Sequence, residues 1–130
     1  MLKLYHFTAN WYFESIKREG LTKGVTPTTL KNDKDQMLFI QNTQWLTLDG
    51  DVDHQFWTTY NRNQARFTIC IPKELAKQKL MSTQTFCEVF KDKLPEGFMD
   101  DPIANDWYVY LGTIPKQWLI SARKYPKVTK

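Results

Sequence analysis

The chain has 130 residues, with 18 basic and 14 acidic side chains and a formal net charge of +4. This length suits one domain with its own core, and a hydrophobic content of 42% argues against intrinsic disorder. The last 17 residues hold five basic residues and no acid, which leaves 13 basic against 14 acidic residues elsewhere. The composition therefore argues against a general nucleic-acid-binding coat of positive charge and predicts a basic C-terminal segment.

The chain opens with a predicted strand, residues 2–7, in which His6 falls on an apolar face. A helix of about three turns follows. Thr8 or Asn10 is its predicted N-cap, because either side-chain oxygen can accept from a free amide at the helix start. Gly20 is predicted to end the helix, because glycine readily takes the left-handed conformation.

Residues 22–43 form the longest predicted connection, and its polar composition is typical of a lid or a mobile loop. Residues 37–40 are predicted to add a short strand within it. A strand at residues 45–47 follows, then an acidic turn at residues 49–53 and a short helix at residues 55–61.

The second half is predicted to alternate strands and helices without an internal repeat or a linker. Ser82 is the predicted N-cap of the second helix in this half. The predicted strands are 66–71, 107–113 and 118–120, and the predicted helices are 74–80 and 83–93. One α+β domain is the fold class that this order predicts.

No metal site is predicted. The acidic turn begins like a calcium-binding loop, but His54 and Tyr60 occupy the positions that require glycine and a bidentate glutamate. Cys70 and Cys87 are too few for a zinc motif or a disulfide framework, so both are predicted to be reduced thiols. No apolar run reaches the roughly 20 residues of a membrane span, and the N-terminus lacks a signal-peptide pattern, so a cytoplasmic location is predicted.

His6 has two interpretations. It is either a core histidine with its hydrogen bonds satisfied, or a histidine at the mouth of a sheet whose ring nitrogens bind a ligand hydroxyl. The surrounding motifs bear on this choice. They are the strand Leu4-Tyr5-His6-Phe7-Thr8, the helix end Gly20-Leu21, the strand Trp45-Leu46-Thr47, and the late segment Val109 to Pro115 followed by Leu119-Ile120.

Together these motifs resemble those of the ADP-ribosyltransferase superfamily, and especially the branch that contains the tRNA 2′-phosphotransferases. A Tyr-His-Gly-Thr strand, a helix ending in Gly-Leu and a His-Leu-Ser strand recur there. The resemblance covers about residues 2–120. It implies a split, two-part β-sandwich with flanking helices, with NAD bound as a substrate in the cleft between the sheets. It also implies a domain at residues 1–120 and a basic tail at residues 121–130.

The resemblance assigns ligand-binding roles. In that family the strand histidine hydrogen-bonds an NAD ribose and the backbone of the next residue holds the nicotinamide amide, which points to His6 and Phe7, with Thr8 beside them. Thr47 matches the Ser or Thr of the second motif. Two further assignments follow: Trp57 or Tyr60 to stack on nicotinamide, and Arg66 or Arg62 to pair with the pyrophosphate. The alternative for Arg66 is an ordinary outward-facing strand residue.

Asp106 stands where the toxin-type transferases carry a catalytic Glu at the start of a late strand. That Glu holds the nicotinamide-ribose hydroxyl as positive charge develops at the anomeric carbon. Asp106 has a side chain one methylene shorter, and its other interpretation is a solvent-exposed carboxylate at a strand edge.

The predicted function is NAD-dependent transfer of ADP-ribose to a macromolecular acceptor, either protein or nucleic acid, with nicotinamide leaving. The alternative is a catalytically inactive nucleotide- or protein-binding module on the same fold, for example an effector or antagonist in phage–bacterial conflict. A third hypothesis is nucleic-acid binding through the basic tail and exposed aromatic rings. The tail is expected either to contact an acidic partner or only to aid solubility.

Overall fold

The computed structural model describes residues 1–52, 64–98 and 102–125. Within these ranges the chain forms an α+β domain, as predicted, and none of the helices there is long and apolar enough to cross a membrane. The helices are α1 (Phe13–Glu19), α2 (Lys73–Lys79) and α3 (Thr83–Val89). The strands are β1 (Leu2–Thr8), β2 (Val25–Lys31), β3 (Met37–Gln41), β4 (Thr43–Thr47), β5 (Ala65–Ile71), β6 (Leu80–Ser82), β7 (Trp107–Leu111) and β8 (Leu119–Lys124).

Six strands form the main sheet in the order β6-β7-β4-β1-β5-β8, and every pair in it is antiparallel. β1 pairs with β5 along its whole length, from Leu2↔Ile71 to Thr8↔Ala65. In contrast, Tyr5↔Thr47 is the one paired position between β1 and β4 in the described part of the chain. The sheet is therefore weakly joined at its centre, with three strands on each side of that junction.

The main core lies on the sheet face that carries Leu4, Phe67 and Ile69, which are all fully buried. Helix α1 covers this face with Phe13 and Ile16, and the Phe13 and Phe67 ring centroids lie 5.1 Å apart. These positions alternate along β1 and β5, because successive strand residues point to opposite faces. The period-two pattern of the sequence thus identified the buried face of both strands.

The start of α1 differs from the prediction. Thr8 is the last residue of β1, and Asn10 opens a 3₁₀ turn, Asn10–Tyr12, that precedes the helix. The N-cap position is Tyr12, without a side-chain cap hydrogen bond. The predicted caps are wrong because β5 holds this stretch: Thr8 pairs with Ala65. The predicted helix end is confirmed, since Gly20 is the C-cap with φ of 84°.

Residues 22–43 are not the loop that was predicted, although the short strand expected at residues 37–40 is present. Most of the segment is a hairpin of β2 and β3 that forms a two-stranded sheet. Thr26 and Thr28 are buried on its inner side, and the Thr28 hydroxyl donates to the Leu38 carbonyl at 2.8 Å. The threonines made the segment look polar, but their hydroxyls bond within the hairpin and to β4, so they behave as buried strand residues.

Trp45 joins the hairpin to β4. Its indole Nε1 donates to the Thr26 hydroxyl at 2.9 Å, and Thr26 shares a hydrogen bond of 2.8 Å with the Thr43 hydroxyl. The ring itself packs edge-on against Phe86, with centroids 5.2 Å apart. This network fixes the hairpin beside the first residues of β4.

Trp45→Phe is expected to lower the free energy of unfolding by about 1 kcal/mol or more, because it removes the donor to Thr26 and leaves an aromatic ring in place. Urea denaturation measures the loss. A double-mutant cycle with Thr26→Val isolates the hydrogen bond, and purely additive losses would show that the Nε1 contact is not coupled to Thr26.

The later elements largely follow the prediction. The Ser82 hydroxyl caps α3 by accepting from the Thr85 amide at 3.2 Å, and α3 ends at Val89. The C-terminal boundary predicted between residues 120 and 121 falls inside β8, which pairs with β5 through Phe67↔Ala122 and Ala65↔Lys124. The first basic residues after that boundary are therefore part of the sheet.

Candidate functional site

A cavity of about 340 Å³ opens at the weakly joined centre of the main sheet, which is a volume typical of small-molecule sites. β1 and β4 form two of its walls, and α1 with the segment after it forms the third. The residues from β1 are His6, Phe7 and Thr8, and those from β4 are Thr43, Gln44 and Trp45. The cavity thus lies where the β1–β4 pairing is interrupted.

His6 bridges the two halves of the sheet at the cavity. Its Nδ1 donates to the Trp45 carbonyl oxygen at 2.9 Å. A carbonyl can only accept, so Nδ1 carries the hydrogen, and in the neutral ring Nε2 is then an acceptor. The ring is half-buried. His6 therefore combines a satisfied structural nitrogen with a place in the cavity wall, which the sequence had posed as alternatives.

Phe7 and Thr8 complete the β1 wall. Both are buried, at 5% relative exposure, and both pair with β5 through Arg66 and Ala65. Beyond Tyr5 the backbone of β1 has no strand partner on its β4 side among the described residues. The structure thus brings three of the predicted ligand-binding residues together at one sheet opening.

Tyr12 is a wall of the cavity that the sequence analysis missed. Its position at the start of the predicted first helix favours a place in the apolar stripe of that helix, but Tyr12 lines the cavity and remains half-exposed. Its ring lies 5.7 Å from that of Trp11, which is 63% exposed. The signal in the sequence was the adjacent pair of aromatic residues immediately after β1.

Two charged residues are present among the described lining residues, Glu19 and Lys23. Glu19 ends α1 and lies 3.5 Å from the Arg18 guanidinium, with its side chain 43% exposed. Gly24 packs closely against β4. A Cβ at this position would overlap the Thr43 carbonyl oxygen and the Gln44 side chain. The cavity therefore has a polar mouth and one carboxylate.

Thr47 does not line the cavity. It is fully buried and pairs with Tyr5, the neighbour of His6, so its side chain lies on the opposite sheet face from the histidine. Its hydroxyl accepts from the Asp49 amide at 3.1 Å. The observed role of Thr47 is to shape the turn after β4.

Arg66 also lies outside the described cavity lining. Its Nη1 donates to the Gly50 carbonyl at 2.6 Å, and its guanidinium lies 5.0 Å from the Tyr5 ring centroid. These contacts hold the turn after β4 against β1 and β5. Arg66 is the cross-strand partner of Phe7, so it lies beside a residue of the cavity wall without being part of the lining.

Asp106 ends the 3₁₀ turn Pro102–Asp106 and is exposed. Its carbonyl accepts from the Leu48 amide at 2.9 Å, beside the pair Thr47↔Trp107. From Thr47 to Trp45, the nearest β4 residue of the cavity lining, is about 7 Å along the strand. The structure thus does not bring Asp106 into the cavity, and the predicted stacking residues Trp57 and Tyr60, like Arg62, lie outside the described residues.

Comparison with protein-family models, curated proteins and solved structures finds no match for this chain. In the described ranges no group of three His, Cys, Asp or Glu side chains is placed to hold a metal ion. The groups that the cavity offers include an imidazole, a tyrosine ring, a carboxylate, an ammonium group and the backbone of an interrupted strand pair. These groups can hydrogen-bond and stack on a small polar ligand.

Proposed function

We propose that this chain is an ADP-ribosyltransferase-like protein that binds NAD in the cavity between β1 and β4. The observation that carries the proposal is the position of that cavity: it lies at the interrupted centre of the sheet and is lined by His6, Phe7 and Thr8. These residues carry the resemblance noted in the sequence. The resemblance implies a cleft between two sheets, whereas here both three-stranded halves belong to one six-stranded sheet, so the support comes from the weak β1–β4 pairing between them.

The proposed reaction cleaves the glycosidic bond between nicotinamide and its ribose. His6 positions the ribose through a hydroxyl, and the Phe7 backbone holds the carboxamide. Nicotinamide leaves with the bonding electron pair and becomes neutral, positive charge develops at the anomeric carbon, and a nucleophile of the acceptor attacks that carbon and loses its proton. Tyr12 places a ring face beside the cationic nicotinamide, which favours its binding.

Glu19 is the carboxylate that we assign to electrostatic help, since it lines the cavity and Asp106 does not. A fixed negative charge near the anomeric carbon stabilises the developing oxocarbenium-like state. Glu19 also lies 3.5 Å from the Arg18 guanidinium, in an exposed pair that constrains the carboxylate only weakly.

Incubation with NAD and quantification of released nicotinamide tests the proposal. We expect release by the unmodified protein, a loss of about tenfold or more in Glu19→Gln, and little change in Asp106→Asn. Glu19→Gln keeps the size of the side chain and removes its charge. Both residues are exposed, so we expect both variants to fold like the native protein. Activity lost in Asp106→Asn and retained in Glu19→Gln would reverse the assignment.

A second candidate is a nucleotide-binding module that performs no transfer. The position of Asp106 favours it, because the residue that replaces the family Glu lies at the far end of β4 from the cavity. Saturable NAD binding without any nicotinamide release, in the presence or absence of candidate acceptors, would establish this candidate over the enzyme.

A further inference from the structure

The C-terminal excess of basic residues has a defined place on the fold. Arg123 and Lys124 belong to β8, the edge strand, and Lys124 pairs with Ala65, which in turn pairs with Thr8. Lys124 therefore lies in the same row as the last residue of β1. This is the end of the sheet from which the chain continues to Trp11 and α1.

Two cations converge on one ring at this end of the sheet. The Lys124 and Lys17 Nζ atoms lie 4.6 Å and 5.5 Å from the centroid of the same Phe13 ring. Arg123 precedes Lys124 in β8 and therefore lies on the opposite face of the sheet, over the Tyr125 ring at 5.0 Å. In the described part of the chain none of these three cations pairs with a carboxylate. The acidic residues of α1 are Glu14, at its exposed start, and Glu19, which pairs with Arg18.

Aromatic rings flank these cations. Trp11 and Tyr12 are 63% and 51% exposed, with ring planes inclined at 57°. Gln64 fixes their position relative to β8: its Oε1 accepts from the Asn10 amide at 2.9 Å and its carbonyl accepts from the Tyr125 amide at 2.8 Å. Trp11 and Tyr12 therefore present adjacent ring surface to solvent at this end of the sheet.

We propose that this surface, which consists of Trp11, Tyr12, Lys17 and Lys124 and which we name the aromatic–basic end, binds single-stranded nucleic acid. Exposed ring faces stack on unpaired bases, and the unpaired cations contact the phosphates between them. Tyr12 belongs both to this surface and to the cavity wall, so a base that stacks there lies at the cavity mouth. The strand is then the acceptor of ADP-ribose; this acceptor role rests on the proposed function, whereas the binding does not.

Fluorescence anisotropy with a labelled single strand of about 12 nucleotides tests the inference on the full chain without NAD. For two phosphate contacts we expect the logarithm of the binding constant to fall with the logarithm of salt concentration with a slope of about −1.4. Lys124→Gln and Lys17→Gln should each reduce that slope by about 0.7. Trp11→Ala should weaken binding by about tenfold at every salt concentration.

Two variants serve as matched controls. Lys3→Gln removes an exposed lysine near the other end of β1, and Phe39→Ala removes a ring of the hairpin that is 46% exposed. Neither should change affinity beyond about twofold if the aromatic–basic end is the binding surface. Equal losses in Lys3→Gln and Lys124→Gln would overturn the inference, because binding would then be a response to net charge alone.

Other outcomes separate this inference from the proposed function. A strand that fails to bind, or that is displaced equally well by polyglutamate, overturns the nucleic-acid surface even if calorimetry detects NAD binding. Strand binding with the expected variant effects but without NAD binding supports the surface and removes the acceptor role. Binding to duplex that matches or exceeds binding to single strand contradicts the stacking part of the inference.

Discussion

His6→Asn is expected to abolish nicotinamide release while the protein remains folded. The asparagine Nδ2 occupies nearly the place of the imidazole Nδ1, so the hydrogen bond to the Trp45 carbonyl, 2.9 Å in the native protein, is retained. The Nε2 atom is lost, and with it the contact that we assign to the ribose. Removal of one positioned polar contact in an active site costs about 100-fold in rate or more. Chromatographic quantification of nicotinamide measures the loss, and a thermal melt confirms folding.

His6→Gln is the matched control, because its terminal amide reaches toward the position of Nε2 and gives up the contact with Trp45. We expect this variant to retain part of the activity and to melt at a lower temperature, the reverse of His6→Asn. Nicotinamide release by His6→Asn at the native rate would remove His6 from the mechanism.

Gly20→Ala is expected to lower the free energy of unfolding by more than about 3 kcal/mol. Gly20 has φ of 84° and ψ of −167°, a region that is essentially restricted to glycine. A Cβ would also overlap the Ile114 carbonyl oxygen, which accepts from the Leu21 amide at 2.9 Å. That backbone contact joins the end of α1 to the segment after β7. Urea denaturation followed by circular dichroism measures the change.

Gly112→Ala is the control for Gly20→Ala. It separates the effect of backbone strain at a positive φ from the effect of the overlap with the Ile114 carbonyl. Gly112 also has a positive φ, of 144°, but the nearest neighbours of a Cβ there are side-chain atoms of Tyr110 and Lys79 at 3.4 Å and beyond. We expect a loss of about 1–3 kcal/mol from strain alone. If Gly20→Ala is no more destabilised than Gly112→Ala, the contact with Ile114 does not constrain the helix end.

Short sequence patterns correctly predicted the strands and helix ends that are determined by residues close together in the sequence. β5 was predicted from its alternation and from Pro72, and the structure places the strand at Ala65–Ile71. Gly20 was recognised as the end of α1, and Ser82 as the cap of α3. Each of these depends on groups within a few residues, namely side-chain periodicity, a free helix amide or a backbone conformation that favours glycine.

Other features depend on the pairing of strands that are far apart in the sequence, and local patterns do not encode that pairing. In one segment the polar composition also led to a wrong prediction. The hairpin was taken for a loop because Thr26 and Thr28 look polar, although both are buried. The role of Tyr12 depends on β4 lying opposite β1, which no local pattern encodes. The position of Asp106 far along β4 from the cavity depends in the same way on how β7 pairs with β4.

The charge imbalance shows how sequence and structure complement each other. Composition located the excess of basic residues at the C-terminal end of the chain. Pairing of β8 with β5 then places Arg123 and Lys124 on the edge of the sheet, with Lys124 against the Phe13 ring of α1. What the sequence predicted as a tail therefore begins as a structured surface next to the cavity mouth.

Isothermal titration calorimetry of NAD with the full chain tests the central claim, that the cavity at the split of the sheet is a nucleotide site. We expect saturable binding to one site, weakened about tenfold in Tyr12→Ala, which removes a ring from the cavity wall, and unchanged in Phe39→Ala, whose ring is not part of the described cavity lining. The absence of heat at millimolar NAD, or binding that is equally strong in the native protein and in Tyr12→Ala and His6→Asn, would contradict it.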